Sequence, residues 1–113
     1  MKPGKRRDKY PPFVALTREM LKNPAWRSGL SGSSKVLYVH LKHKFTGQNN
    51  GEICLHYSEM EDFMAPATIS KAFRELEAKE WIAVERRVGG KYRFTTYYRL
   101  TGKYDSIISR FKL

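Results

Sequence analysis

The chain has 113 residues, room for one compact domain and too few for two with proper cores. Its 41% hydrophobic and 13% aromatic content excludes a disordered chain. Lys and Arg number 22 against 11 Asp and Glu, a net charge of +11, and this excess favours polyanionic partners through phosphate neutralisation and counterion release.

No stretch approaches the roughly 18 apolar residues of a membrane span. The basic N-terminus lacks the apolar core of a signal peptide. Cys54 is the single cysteine, so no intrachain disulfide can form, and the cytosol is the expected compartment.

Residues 1–12 carry five basic residues, one acid, three prolines and a glycine, the composition of an extended basic arm rather than a packed element. The arm holds about +4 of the charge, so the remainder is basic in its own right at about +7. A first short helix is predicted from Thr17 to Lys22, stopped by Pro24. Trp26 and Leu30 then read as core anchors of a connecting segment. A second helix starts in the Ser31–Ser34 cluster and runs to about Phe45, with Leu37, Leu41 and Phe45 as its buried stripe and Lys35, Lys42 and Lys44 on its surface.

Gly47-Gln48-Asn49-Asn50-Gly51 is turn chemistry, its glycines and asparagines tolerating positive φ. Ile53-Cys54-Leu55 reads as a small strand. A helix is expected from Ser58 to Phe63, capped by Ser58, with Glu59, Glu61 and Asp62 favoured by the helix dipole. Met64-Ala65-Pro66 is a turn, and Pro66 suits the first position of the next helix. That helix spans Pro66 to Lys79, with Ile69, Ala72, Phe73 and Leu76 on one apolar face. Trp81–Val88 and Lys91–Leu100 alternate as two strands around a Gly89-Gly90 hairpin turn. Tyr104, Ile107, Ile108 and Phe111 form the stripe of a short C-terminal amphipathic helix.

Three other constellations are weaker. His40, His43, Cys54 and His56 lack the paired spacing of structural zinc, so no metal site is expected. No phosphate loop, nucleophile elbow or Ser/His/Asp arrangement appears, so neither enzyme activity nor a cofactor is expected. Tyr92, Phe94, Tyr97 and Tyr98 either stack on bases or cover the core face of the hairpin.

PATISKAFRELEAKEWI, residues 66–82, resembles the recognition-helix signature of winged helix-turn-helix regulators. Pro24-Ala25-Trp26, Leu30-Ser31 and the Gly-x-Asn-Asn-Gly that follows the second helix resemble small winged-helix domains of phage and plasmid replication proteins and related bacterial regulators. The resemblance runs from about Phe13 to Asp105. Two positions depart from it. Glu80 stands where the family usually has a glycine, so either the helix ends differently or Glu80 is strained. Ala65 replaces a polar N-cap, at about 0.5–2 kcal/mol.

The resemblance implies an α+β fold: a three-helix winged helix-turn-helix core over 13–105 with a small antiparallel hairpin, the arm (1–12) before it and the amphipathic tail (106–113) after it. It further implies double-stranded DNA as partner, in the bacterial or phage cytoplasm at the nucleoid, for transcription regulation or replication initiation. The 66–79 helix would enter the major groove. Lys71 and Arg74 would reach into it from adjacent turns, Arg74 as a bidentate guanine contact. Thr68 and Ser70 would bond phosphate or a base edge. Arg86, Arg87, Lys91 and Arg93 would supply phosphate or minor-groove contacts from the wing, and the arm a further one. The C-terminal stripe would either join two copies on a palindrome or pack on its own domain. No small-molecule ligand is implied. A protein-interaction module on the same scaffold and an RNA or single-strand binder are the competing readings.

Overall fold

The computed structural model describes residues 12–89 and 94–111. The basic arm to Pro11, the hairpin tip from Gly90 to Arg93 and the last two residues, 112 and 113, lie outside them. The described residues form an α+β arrangement of five α-helices and one two-stranded antiparallel sheet. None of these helices is long and apolar enough to cross a membrane.

Thr17 opens helix α1 (Arg18–Lys22), its hydroxyl accepting from the Met20 amide at 3.1 Å. Asn23 closes α1 through its backbone and starts α2 (Pro24–Arg27), its carbonyl Oδ1 accepting from Ala25 N at 2.9 Å. Pro24 therefore ends one helix and opens the next, because a proline at the first helical position loses no hydrogen bond. Trp26 sits on this extra helical turn, not in a connecting loop, and is buried.

Helix α3 (Gly32–His43) is capped by Ser31 and buries Leu37, Tyr38 and Leu41, with Phe45 buried just beyond its end. Lys42 departs from expectation: it is not on the surface but fully buried. Its ammonium lies 2.9 Å from Asp105 Oδ2 and 3.2 Å from Oδ1, and also donates to the Ala15 carbonyl. Tyr38 donates its hydroxyl to the same carboxylate at 2.6 Å, and the Ile107 amide donates to it at 3.2 Å. Asp105 thereby caps α5 (Ser106–Arg110) while neutralising a lysine on α3. A buried charge is tolerated only when paired and hydrogen-bonded in this way.

After α3, Gly47 and Gly51 take positive φ, but the asparagines do not. Their side chains replace backbone partners instead. Asn50 accepts from Leu100 N at 2.7 Å and donates to Leu100 O at 2.9 Å, holding the loop to the second strand. The expected strand at Ile53–Leu55 is a single bridge, Ile53 to Tyr98. The expected helix from Ser58 to Phe63 is a 3-10 turn, Tyr57–Glu59, followed by further turns. Its cap position is His56, not Ser58: Glu59 accepts from the His56 amide at 3.0 Å and pairs with Lys44. Only Met60 is buried between residues 57 and 63, too little apolar area to order a regular helix there.

Helix α4 (Pro66–Ala78) buries Ile69, Ala72, Phe73 and Leu76 and packs on α3, although Ala65 gives it no side-chain cap. The two helices are also joined by Glu75. Its Oε1 accepts from Ser31 N at 3.1 Å and from the hydroxyls of Ser31 and Ser34, placing a carboxylate at the positive N-terminus of α3. These bonds, the Ser34 hydroxyl foremost, hold the Glu75 carboxyl below the usual carboxylate range.

Past the cap residue Lys79, Glu80 has φ 66°, the left-handed value expected of glycine. Glu80 N donates to Glu77 O at 3.1 Å and Trp81 N to Leu76 O at 2.9 Å, the two bonds of a Schellman motif, with Trp81 and Leu76 packed in the core behind it. The Thr101 hydroxyl donates to Glu80 O at 2.6 Å and the Glu80 carboxylate pairs with Lys103, so the strained residue is held from outside.

Strands β1 (Ile82–Gly89) and β2 (Phe94–Leu100) pair with Gly89 opposite Phe94. A two-residue Gly89-Gly90 turn would put Val88 opposite Lys91, so the connection is longer than the sequence suggested. The core joins Trp26, Tyr38 and Trp81 in edge-to-face contact at 5.1–6.0 Å, and residues 104–111 close over it. Ile108 is buried there, Tyr104 lies 5.0 Å from Trp81 and Phe111 lies 6.4 Å from Phe45.

Candidate nucleic-acid interface

Four buried positions on α4 fix which side chains face outward. Lys71 and Arg74 are exposed, Ser70 is half-buried on the flank toward the hairpin, and Thr68 is half-buried on the flank toward α3. Arg74 donates to the Ser70 hydroxyl at 2.7 Å, which aligns its guanidinium along the helix.

The hairpin reaches the same surface through an irregularity in its pairing. Ile82, Val84 and their partners Leu100 and Tyr98 follow one register, and Arg86 opposite Tyr97 begins another, with Glu85 as the extra residue of a bulge. A one-residue bulge moves every later side chain to the opposite face. Arg87, opposite Thr96, therefore lies on the α4 side of the sheet and Arg86 on the far side.

Ser70, Arg74 and Arg87 line one groove of about 490 Å³ between α4 and the hairpin, together with Thr95 and Thr96. Its floor is aromatic. Tyr57, Phe73 and Tyr98 form a ladder of near-parallel rings, Tyr57 to Phe73 at 6.1 Å and 13°, Phe73 to Tyr98 at 5.0 Å and 14°. Burial, reinforced by the Glu77 carboxylate, pushes the Tyr98 phenol up to about 12, so it remains a neutral donor. Among the described residues, Glu77 is the sole carboxylate in the lining.

Arg86 is committed elsewhere. It binds Glu52 at 2.6 Å and stacks 4.2 Å from the centroid of Tyr97. Lys91 and Arg93 lie outside the described residues. Of the eight side chains singled out by sequence, Ser70, Arg74 and Arg87 share the groove, Lys71 stands on the outer face of α4, and Thr68 and Arg86 lie to either side. Tyr57, Thr95, Thr96 and Glu77 were missed. Tyr57 carried no signal, since it occupied the approach to a helix that does not form; Thr95 and Thr96 could be placed only from the true register.

Cys54 Sγ lies 3.6 Å from His56 Nε2 at the groove's edge, and burial followed by the Glu59 charge pushes its thiol up. Among the described residues, no group of three or more His, Cys, Asp or Glu side chains is placed to hold a metal ion. Comparison with protein-family models, with curated proteins and with solved structures finds no match.

Proposed function

We propose that this chain is a winged helix-turn-helix domain that binds double-stranded DNA, with α4 in the major groove and the β1–β2 hairpin as the wing, in transcription regulation or replication initiation. The observation that carries the reading is the convergence of Arg74 and Arg87, from different elements, on one groove of a chain with net charge +11. A lone basic helix face would be an ordinary solvated surface. The Arg87 guanidinium, with Ser70 and Thr96 lining the same groove, matches the acceptors of a phosphodiester backbone instead. Lys71 and Arg74 then point at base edges, and Arg74 carries the guanine contact.

The C-terminal stripe is engaged by the domain's own core through Ile108, Tyr104 and Phe111.

The test is binding to a random duplex across a salt series. Each neutralised phosphate contributes about −0.9 to the slope of log K against log salt, and Arg87→Ala should reduce that slope by about 1. Lys71→Ala with Arg74→Ala should lose sequence preference more than Arg87→Ala does. Affinity no better than millimolar at low salt, or a flat salt series, refutes the reading.

A further inference from the structure

The groove offers more than phosphate contacts, because one ring of its aromatic lining stands open to solvent. Tyr57 is 42% exposed although it belongs to a chain of stacked rings. Phe73, buried behind it, is its one ring contact among the described residues, so the other face of Tyr57 is turned to solvent. An exposed tyrosine held flat by a stacked partner has lost its rotational freedom in advance, which is the property of a stacking platform.

A base inside a duplex cannot use such a platform, since both of its π-faces are already covered by its neighbours. An unpaired base beside the duplex does present a free face. The rest of the lining suits one nucleotide: Arg87 for its phosphate, Thr96 for its sugar oxygens, and the Glu77 carboxylate for an exocyclic amino group. The volume of about 490 Å³ falls in the range of roughly 300–1,000 Å³ typical of small-molecule sites.

We infer that this groove seats one unpaired nucleotide next to the duplex, its base stacked on the outer face of Tyr57 and its phosphate held by Arg87. The inference rests on the DNA-binding reading and narrows it to a particular substrate, a junction between double-stranded and single-stranded DNA.

The experiment compares a blunt duplex, the same duplex with a short single-stranded overhang, and the isolated single strand, against the full chain and its Tyr57→Ala and Tyr57→Phe variants. The overhang duplex should bind about 5–150-fold more tightly than the blunt one, the gain that one base–aromatic stack supplies. Tyr57→Phe should keep that preference. Tyr57→Ala should abolish it, read as the ratio of overhang to blunt affinity within the variant itself, with the circular dichroism spectrum unchanged because this exposed ring lies outside the core. Equal affinity of the wild-type chain for blunt and overhang duplexes, or an undiminished preference in Tyr57→Ala, overturns the inference and leaves the DNA-binding reading standing. A single strand bound as tightly as the overhang duplex also overturns it. No binding to any of the three DNAs removes the DNA-binding reading itself.

Discussion

Replacing Asp105 with alanine tests the least expected feature of the fold. The carboxylate is 1% exposed and the Lys42 ammonium fully buried, so Asp105→Ala strands a lysine in the interior. Removing one member of a buried ion pair costs about 3–5 kcal/mol. Asp105 also accepts from Ile107 N as the cap of α5, and losing a cap adds about 1 kcal/mol. For a domain of this size, an unfolding entropy of about 2.1 cal/mol/K per residue converts these losses to a fall in Tm of about 15–25 °C. Thermal melts followed by circular dichroism, with urea titrations for the free energy, measure it. The double variant Lys42→Met, Asp105→Ala removes both charges and should regain more than half of the loss, since the penalty lies in the orphaned charge rather than in the missing bond. A drop of less than about 5 °C in Asp105→Ala, or a double variant less stable than the single one, would refute the reasoning.

Further predictions concern α2, α3 and the residues that support them. Glu75 has its carboxyl lowered in the folded chain below the ordinary 4.5, so its contribution is complete above that pH and is lost as pH falls through the folded value. Glu75→Gln should therefore lower Tm at pH 7 and flatten the acid limb expected of the wild type below about pH 4.5; an identical acid limb in both proteins counts against the Glu75 link. Glu59, lowered by Lys44 and the His56 amide, adds a second acid-sensitive step with the same sign. At Gly29 a Cβ would sit 2.5 Å from the Ala25 carbonyl oxygen, so Gly29→Ala should cost about 1–3 kcal/mol in urea unfolding. Gly32→Ala, on the first turn of α3 with nothing within 4 Å of its Cβ, should instead stabilise by up to about 1 kcal/mol, and a reversal of this order sinks the argument.

What could be read from the sequence was what local pattern decides. The apolar face of α4 was legible because Ile69, Ala72, Phe73 and Leu76 repeat at helical spacing, and Pro66 marked its start. Glu80 was legible as a question, whether strained or a different ending, and its positive φ answers it. Lys42 was not legible. It falls beside Tyr38 and Leu41 in the buried stripe, and nothing near it in sequence accounts for its charge; the partner is 63 residues away. The groove failed for a related reason. Alternation along β1 predicts which arginines share a face, but the Glu85 bulge reverses that parity halfway, exchanging Arg86 for Arg87. A bulge depends on the pairing strand, and the pairing depended on a turn length that the glycines misreported.

The two-stranded sheet has a consequence for the behaviour of the protein in concentrated solution. One side of β2 is partly covered by the Ile53 bridge, while β1 has no strand beyond it among the described residues. An open strand edge invites pairing with another chain. Here that edge carries Glu85, Arg86 and Arg87 in succession, bent by the bulge, and charge and curvature are the two means by which exposed edges resist such pairing. Variants that neutralise these arginines would also remove a guard against self-association, so their aggregation state belongs beside any measurement of their affinity.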